Sequence, residues 1–140
     1  MAQEYQILVV EDEEYWREKI FREALEDAGY QVVTSSSCAE AVAALDQQVF
    51  DLVVIDVNLT GDPGNKDGVR VLERMVALGH PSLSIVVSGS PTRAMYEESV
   101  KKYQPVECLD KAKFDVTKFV DLVADAFAKK AHDVTPVDGG

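Results

Sequence analysis

The chain has 140 residues, which is enough for one domain with its own hydrophobic core and leaves little room for a second. Hydrophobic residues make up 46% of the sequence and charged residues 28%, a composition that excludes disordered and fibrous proteins. The formal net charge of −11 opposes direct nucleic-acid binding, which depends on Lys and Arg, and it suits the binding of cations.

Five short runs rich in β-branched or apolar residues predict five strands, at 7–10, 32–34, 52–55, 85–87 and 106–109. The stronger runs are continuously apolar instead of alternating with polar residues. Such runs are typical of strands that are covered on both faces, as in a parallel sheet.

Segments with helical spacing separate the strands, and we predict helices over 16–28, 37–45, 69–78, 92–103 and 116–127. Gly29 and Gly79 stand where the first and third of these helices end. Ser37 and Glu40 form a capping box at the start of the second. The alternation of strand and helix predicts an α/β fold with a doubly wound sheet and right-handed crossovers.

The domain is predicted to cover residues 1–131, followed by a disordered tail over 132–140 that contains Pro136 and ends in two glycines. Cys38 and Cys108 are too few for a disulfide framework. No apolar run approaches the roughly 18 residues of a membrane span. We therefore expect a cytoplasmic protein without a membrane segment.

Reactive or charged side chains follow four of the predicted strands. Glu11 and Asp12 follow the first, Asp56 the third, Ser88 the fourth and Lys111 the fifth. Taken singly, each has a structural explanation, since carboxylates favour helix N-termini, Asp is common in turns and Lys is usually exposed. Ligands of open α/β sheets bind at the carboxyl ends of the strands, so the conjunction predicts a site.

The chemistry of this site follows from its charges. Three neighbouring carboxylates repel one another, and a hard divalent cation such as Mg²⁺ relieves the repulsion. Magnesium sites built from few carboxylates are usually completed by phosphate oxygens, whose charge Lys111 and the Ser88 hydroxyl can stabilise. One carboxylate is then the nucleophile that forms an aspartyl-phosphate.

With these residues in this order, the chain resembles the receiver domains of bacterial two-component response regulators over roughly residues 5–130. The resemblance implies a flavodoxin-like fold, a five-stranded parallel sheet of order 2-1-3-4-5 with five helices. It also implies that Asp56 takes a phosphoryl group from the histidine of a sensor kinase or of a phosphotransfer protein. Such a domain signals by protein contact and does not turn over a separate substrate.

The resemblance assigns further roles around the phosphorylated residue. Asp12 binds Mg²⁺ directly and Glu11 supports the metal through water, with Asp56 and the backbone carbonyl of Asn58 as further ligands. Ser88 and Lys111 grip the phosphoryl oxygens. The expected partners are the kinase or phosphotransfer protein, a downstream protein target and, on phosphorylation, a second copy of the chain.

Three features depart from the usual family pattern. The loop over 59–68 is longer than is common, Ala112 stands where proline normally follows the lysine, and Cys108 replaces the aromatic residue of the switch. Because a thiol is much smaller than an aromatic side chain, we expect phosphorylation to reshape the loop after Ser88 more than the fifth strand.

An enzyme is the alternative. The sequence from Asp56 to Thr60 is similar to the Asp-x-Asp-x-Thr signature of haloacid-dehalogenase-type phosphatases, which also form an aspartyl-phosphate. Asn58 occupies the position of their acid–base aspartate, and an amide cannot fill that role. The acidic pair of this chain also precedes the candidate nucleophile, whereas in those phosphatases it follows.

Overall fold

Five parallel strands form a single sheet in the computed structural model, which describes residues 5–56, 67–89 and 101–133. The strands are β1 Gln6–Val10, β2 Gln31–Ser35, β3 Leu52–Asp56, β4 Leu83–Ser88 and β5 Glu107–Asp110. Their order across the sheet is β2-β1-β3-β4-β5. The five predicted strands and the predicted order are therefore confirmed.

Four helices connect these strands in the described part of the chain. A π-helical segment, Tyr15–Arg22, continues directly into α1, Glu23–Asp27, and the others are α2 Cys38–Gln47, α3 Asp67–Ala77 and α4 Val116–Asp133. Two short 3₁₀ turns, Lys101–Tyr103 and Lys111–Lys113, flank β5.

Two predictions about chain segments fall largely outside the described residues. The helix predicted over 92–103 is described only at its end, where the Lys101–Tyr103 turn lies, so four helices are seen where five were expected. Helix α4 continues to Asp133, into the predicted tail, and residues 134–140 lie beyond the described part.

The first helix differs from its prediction in its opening segment, Tyr15–Arg22, which is π-helical instead of α-helical. Trp16, Ile20, Phe21 and Leu25 all pack against one core, so the buried side contains the predicted four-residue step from Trp16 to Ile20 and a five-residue step from Trp16 to Phe21. A step of five suits the wider turn of a π-helix. The π-helical turn brings the rings of Trp16 and Phe21 to a centroid distance of 5.7 Å.

Helices cover both faces of the sheet, which explains the continuous apolar runs of β1, β3 and β4. On one face lies the α2–α3 core, which includes Leu8, Val10, Ala41, Leu45, Val53, Ile55, Leu72 and Val86. On the other lies the α1–α4 core, which includes Ile7, Val9, Phe21, Leu25, Val54, Val87, Phe119 and Val123. The predicted doubly wound arrangement is thereby confirmed.

Strand register fixes which residues meet at the carboxyl edge of the sheet. Asp56, the last residue of β3, is paired with Val87 of β4, and Ser88 is paired with Asp110 of β5. Glu11 follows β1 directly, and its backbone N–H donates to the Ser35 carbonyl at 3.0 Å. No helix within the described ranges combines the length and the apolar character that a bilayer crossing needs.

Left-handed glycines and capping hydrogen bonds set the predicted helix boundaries. Gly29 and Gly79 have φ of +100° and +71°, the left-handed conformation in which helices commonly end. The Ser37 side chain accepts the Glu40 N–H at 3.1 Å, and the Glu40 carboxylate in turn accepts the Ser36 N–H at 2.7 Å. The reciprocal bond of the capping box thus reaches one residue further back than expected.

Replacing Ser37, the N-cap residue of α2, tests how much its hydrogen bond to the Glu40 N–H contributes to stability. We expect Ser37→Ala to lower the free energy of unfolding by about 1 kcal/mol, because the Glu40 N–H loses its acceptor. Ser37→Asp, which restores an acceptor at the same position, should retain most of the stability. Urea denaturation provides the measurement, and equal stabilities for all three proteins would contradict a capping role.

Candidate functional site

The acidic pair after β1 lies on a loop that one arginine side chain holds. Glu11 is fully buried and Asp12 is half-buried. From the π-helical segment, the Arg17 Nη1 donates to the backbone carbonyls of Glu11 and Asp12, at 3.2 and 3.3 Å. Arg17 therefore fixes the backbone from which both carboxylates project.

Lys111 connects the strand ends on the α1–α4 side of the sheet. Its Nζ lies 3.0 Å from Glu11 Oε1, 3.1 Å from Asp56 Oδ2 and 3.2 Å from Glu13 Oε1. The alternation of side chains along a strand explains two of these contacts, because Glu11 lies two residues after Val9 and Asp56 two after Val54, both in the α1–α4 core. The predicted convergence of Glu11, Asp56 and Lys111 is seen in the structure.

Lys111 follows β5 at the start of a 3₁₀ turn that a neighbouring side chain caps. The Asp110 carboxylate accepts the Ala112 N–H at 2.9 Å, a bond that proline at position 112 could not make. The Phe114 N–H donates to the Lys111 carbonyl at 3.3 Å and closes the turn. Asp110 therefore caps the turn that carries the lysine.

The pKa values of these groups show how strongly they interact. Burial, together with repulsion from Asp56, raises the pKa of Glu11 to about 9. Burial and the same repulsion raise the pKa of Asp12. Burial by itself would lower the pKa of Lys111, but the attraction of Asp56 and Glu11 outweighs it and raises the pKa above its ordinary value.

The three carboxylates have the chemistry of a site for a hard cation. Glu11, Asp12 and Asp56 each offer an oxygen, and these oxygens lie within 4.8 Å of one another. Lys111 neutralises only part of their charge, and repulsion from Asp56 adds to burial in raising the pKa of Glu11. Oxygen donors and unbalanced negative charge are what Mg²⁺ requires, so the donor set fits this ion.

The remaining predicted site residues lie at the same edge or outside the described ranges. Ser88 is buried at the end of β4, one register position beyond the partner of Asp56. Cys108 is half-buried, pairs with Val86 and packs against the α2–α3 core. Asn58 and most of the loop over 59–68 belong to the undescribed residues 57–66.

Three residues that contact the site were not predicted from the sequence: Glu13 shares Lys111, Arg17 holds the acidic loop and Asp110 caps the lysine turn. Of these, Glu13 carried a signal, since it continues the acidic run that begins at Glu11. Trp16, four residues beyond Asp12, is expected near the metal site from its spacing, and its ring centroid lies 5.0 Å from the Lys111 Nζ. The other contacts depend on how the first helix and the turn after β5 pack together.

The raised pKa of Glu11 has a consequence for stability. Between the ordinary value of 4.5 and about 9, the folded protein holds a proton that the unfolded chain releases. Stability of the metal-free protein should therefore fall as pH rises through this window, by at most about 1.4 kcal/mol per pH unit. Glu11→Gln, which cannot ionise, should flatten the slope, and saturating Mg²⁺ should flatten it in the unaltered protein.

Urea unfolding in the presence of EDTA, repeated at several pH values between 5 and about 9, measures this slope. Glu73→Gln is a suitable control, because Glu73 is an exposed residue of α3. The same pH dependence in the unaltered protein and in Glu11→Gln would contradict a protonated, buried Glu11.

Comparison with known proteins identifies the family. Residues 7–124 match the family described as response regulator receiver domain. The alginate biosynthesis transcriptional regulatory protein AlgB of Pseudomonas aeruginosa is 45% identical over 69 residues, which are 49% of this chain and 14% of AlgB. The sensor histidine kinase RcsC of Salmonella typhimurium is 34% identical over 92 residues, 66% of this chain and 9% of RcsC. The chain thus spans only a small part of the length of these relatives.

Solved structures show the same fold. A CheY-like receiver domain protein from Methanospirillum hungatei JF-1 superimposes with a TM-score of 0.80 at 18% identity, covering 94% of this chain and 99% of that one. NtrX from Brucella abortus superimposes with a TM-score of 0.77 at 22% identity, covering 94% of this chain and 29% of NtrX. With the matched sequence, the sheet order and the acidic edge taken together, the chain belongs to the response regulator receiver domain family of two-component systems.

Proposed function

We propose that Asp56 is a phosphoacceptor, which takes a phosphoryl group from the phosphohistidine of a sensor kinase or of a phosphotransfer protein. The observation that supports this most is the position of Asp56, which is buried at the end of a central strand with its Oδ2 3.1 Å from the Lys111 Nζ. The carboxylate oxygen attacks phosphorus, the phosphorus–nitrogen bond to histidine breaks, and the imidazole leaves with that electron pair.

Within this proposal, the neighbouring residues have separate tasks. Asp12, Glu11, Asp56 and the Asn58 carbonyl would hold Mg²⁺, Asp12 as a direct ligand and Glu11 through water. The bound metal supplies positive charge that stabilises the phosphoryl oxygens. Lys111 contributes a further positive charge beside Asp56, and the Ser88 hydroxyl donates a hydrogen bond from the end of β4.

The burial of the site favours transfer to Asp56 over loss to water. The Lys111 side chain is 13% exposed and the Asp56 side chain 5% exposed, so little solvent reaches the reacting oxygen. In this partly desolvated setting the ammonium stabilises negative charge more strongly than it would in water. The domain thus promotes its own phosphorylation without turning over a separate substrate.

The signal is proposed to pass to another protein. Ser88 and Cys108 lie on β4 and β5, the two strands that precede and follow the undescribed residues 90–100 in the sequence. A shift of the Ser88 hydroxyl toward the phosphoryl group would change the loop that follows it. The net charge of −11 favours a protein target or a second copy of the chain over nucleic acid.

The phosphatase alternative is less well supported. Such an enzyme needs an acid–base carboxylate two residues after the nucleophile, and this chain has Asn58 there. The family match over residues 7–124 and the acidic pair that precedes Asp56 both favour the receiver function.

The phosphoacceptor assignment is tested by intact mass after incubation with acetyl phosphate and Mg²⁺. We expect one added phosphoryl group on the unaltered protein and none on Asp56→Asn, because an amide is not a nucleophile toward phosphorus. Asp46→Asn is a matched control, since Asp46 pairs with Arg74 at 2.8 Å on the exposed surface. Undiminished labelling of Asp56→Asn would refute the assignment.

The metal assignment is tested through the fluorescence of Trp16, the only tryptophan. Mg²⁺ binding should change this fluorescence, because the indole contacts Lys111 and Lys111 contacts two of the proposed ligands. Glu11→Ala, which removes indirect support, should weaken binding by about 10-fold. Asp12→Ala should weaken it further, because it removes a direct ligand.

Magnesium titrations of the three proteins at constant ionic strength give the affinities. Asp27→Ala is an appropriate control, because Asp27 is an exposed acidic residue at the end of α1. If Asp12→Ala and Glu11→Ala bind Mg²⁺ as the unaltered protein does, the metal site lies elsewhere.

A further inference from the structure

The ammonium of Lys111 has two chemically different kinds of neighbour. Carboxylates of Glu11, Asp56 and Glu13 lie within 3.2 Å of its Nζ. The indole of Trp16 is the second kind, with its ring centroid 5.0 Å from the Nζ. At this distance the negative face of the ring attracts the cation, and tryptophan gives the strongest attraction of the aromatic side chains.

The indole is itself held by the turn that carries the lysine. The Trp16 ring packs edge-on against Phe114, at a centroid distance of 5.3 Å and an interplanar angle of 80°. Phe114 closes the Lys111 turn through its backbone N–H, and it also packs against Phe21 at 5.5 Å. Trp16 therefore contacts two side chains of this segment, the ammonium of Lys111 and the ring of Phe114.

The packing of Trp16 against Phe114 matters for the Lys111 turn because residue 112 is alanine instead of proline. A proline after the lysine, which is usual in the family, would restrict the backbone of the turn covalently. In this chain the Asp110 cap and the Trp16–Phe114 contact restrict it instead. The orientation of Lys111 thus depends on side chains from β5 and from the first helix.

The two kinds of neighbour respond differently when a cation binds. Glu11 and Asp56 belong to the carboxylate cluster that fits Mg²⁺, so the oxygens that hold the ammonium are the ones a metal would attract. The indole ring offers no oxygen and does not compete for the metal. Of the two kinds of contact, the one with Trp16 is therefore the one with which a bound cation would not compete.

We infer that Trp16 is a positioning residue for phosphoryl transfer, whose indole face holds the Lys111 ammonium beside Asp56 while the carboxylates bind the metal. The inference rests on the proposed role of Asp56 as phosphoacceptor. It extends that proposal by assigning a task in the reaction to a residue of the first helix that touches neither the metal nor the phosphoryl group.

Fluorination of the indole provides a direct test, because fluorine withdraws electron density from the face of the ring and changes the shape of the ring little. Trp16 is the only tryptophan, so supplying fluorotryptophans during expression alters this position alone. The initial rate of phosphorylation at saturating acetyl phosphate and Mg²⁺ should fall stepwise with each added fluorine. The full decrease should be about two- to fivefold, as expected for a partly exposed cation–π contact.

Substitutions of Trp16 distinguish the contribution of its aromatic face from that of its apolar packing. Trp16→Phe retains an aromatic face and should keep more of the rate than Trp16→Leu, which retains only apolar volume. Phe127→Leu is the matched control, because Phe127 is buried in the same α1–α4 core but packs against Tyr5 and Tyr30 instead of Trp16 and Phe114. It should lower thermal stability while leaving the rate of phosphorylation unchanged.

A spectroscopic measurement completes the design. The ¹⁹F resonance of 5-fluorotryptophan at position 16 should shift on titration with Mg²⁺ and shift again on addition of beryllofluoride, as Lys111 changes partners. Rates that do not vary with fluorination, or equal rates for Trp16→Phe and Trp16→Leu, would overturn the inference even if Asp56 is phosphorylated. Failure of acetyl phosphate to label Asp56 in the unaltered protein would instead refute the proposed function.

Discussion

The contact of the Lys111 ammonium with the buried carboxylates of Glu11 and Asp56 is the interaction on which the arrangement of this site depends. Removing Lys111 would leave the buried Asp56 carboxylate without its ammonium partner, which costs several kcal/mol when the charge is compensated by neither water nor protein. The strand order explains why a lysine is required. β5 is separated from β3 by β4, and neighbouring strands lie about 4.8 Å apart. A long, flexible side chain is needed to span that distance.

Much of this fold and site could be predicted because both depend on short-range patterns. Continuous apolar runs predicted the buried parallel strands, and the residues that follow them converge because carboxyl ends of parallel strands share one edge. The alternation of side chains then places Glu11 and Asp56 on the same side as Lys111. These inferences need only the order of residues along each strand.

The rest could not be predicted because it depends on contacts between distant elements. The π-helical segment Tyr15–Arg22 was not predicted, because Trp16 and Ile20, which both pack against the core, also fit α-helical spacing. Nothing in the residue types of Trp16 and Lys111 indicated that the indole would lie against the ammonium. Similarly, the role of Asp110 as a cap depends on the backbone of the turn after β5, which the residue types alone do not specify.

The electrostatics of the site also show how function limits stability. A buried carboxyl whose pKa is raised to about 9 disfavours the ionised, metal-ready form of the folded protein at neutral pH. A hydrophobic residue at this position would pack without that penalty, but of the three carboxylates clustered in the described part of the chain it would leave Asp12 and Asp56. A cation that binds only the folded state restores stability by mass action, in proportion to the logarithm of its concentration over its dissociation constant. Lys111 and a bound cation therefore act on the same repulsion among the carboxylates, and Lys111 alone offsets only part of it.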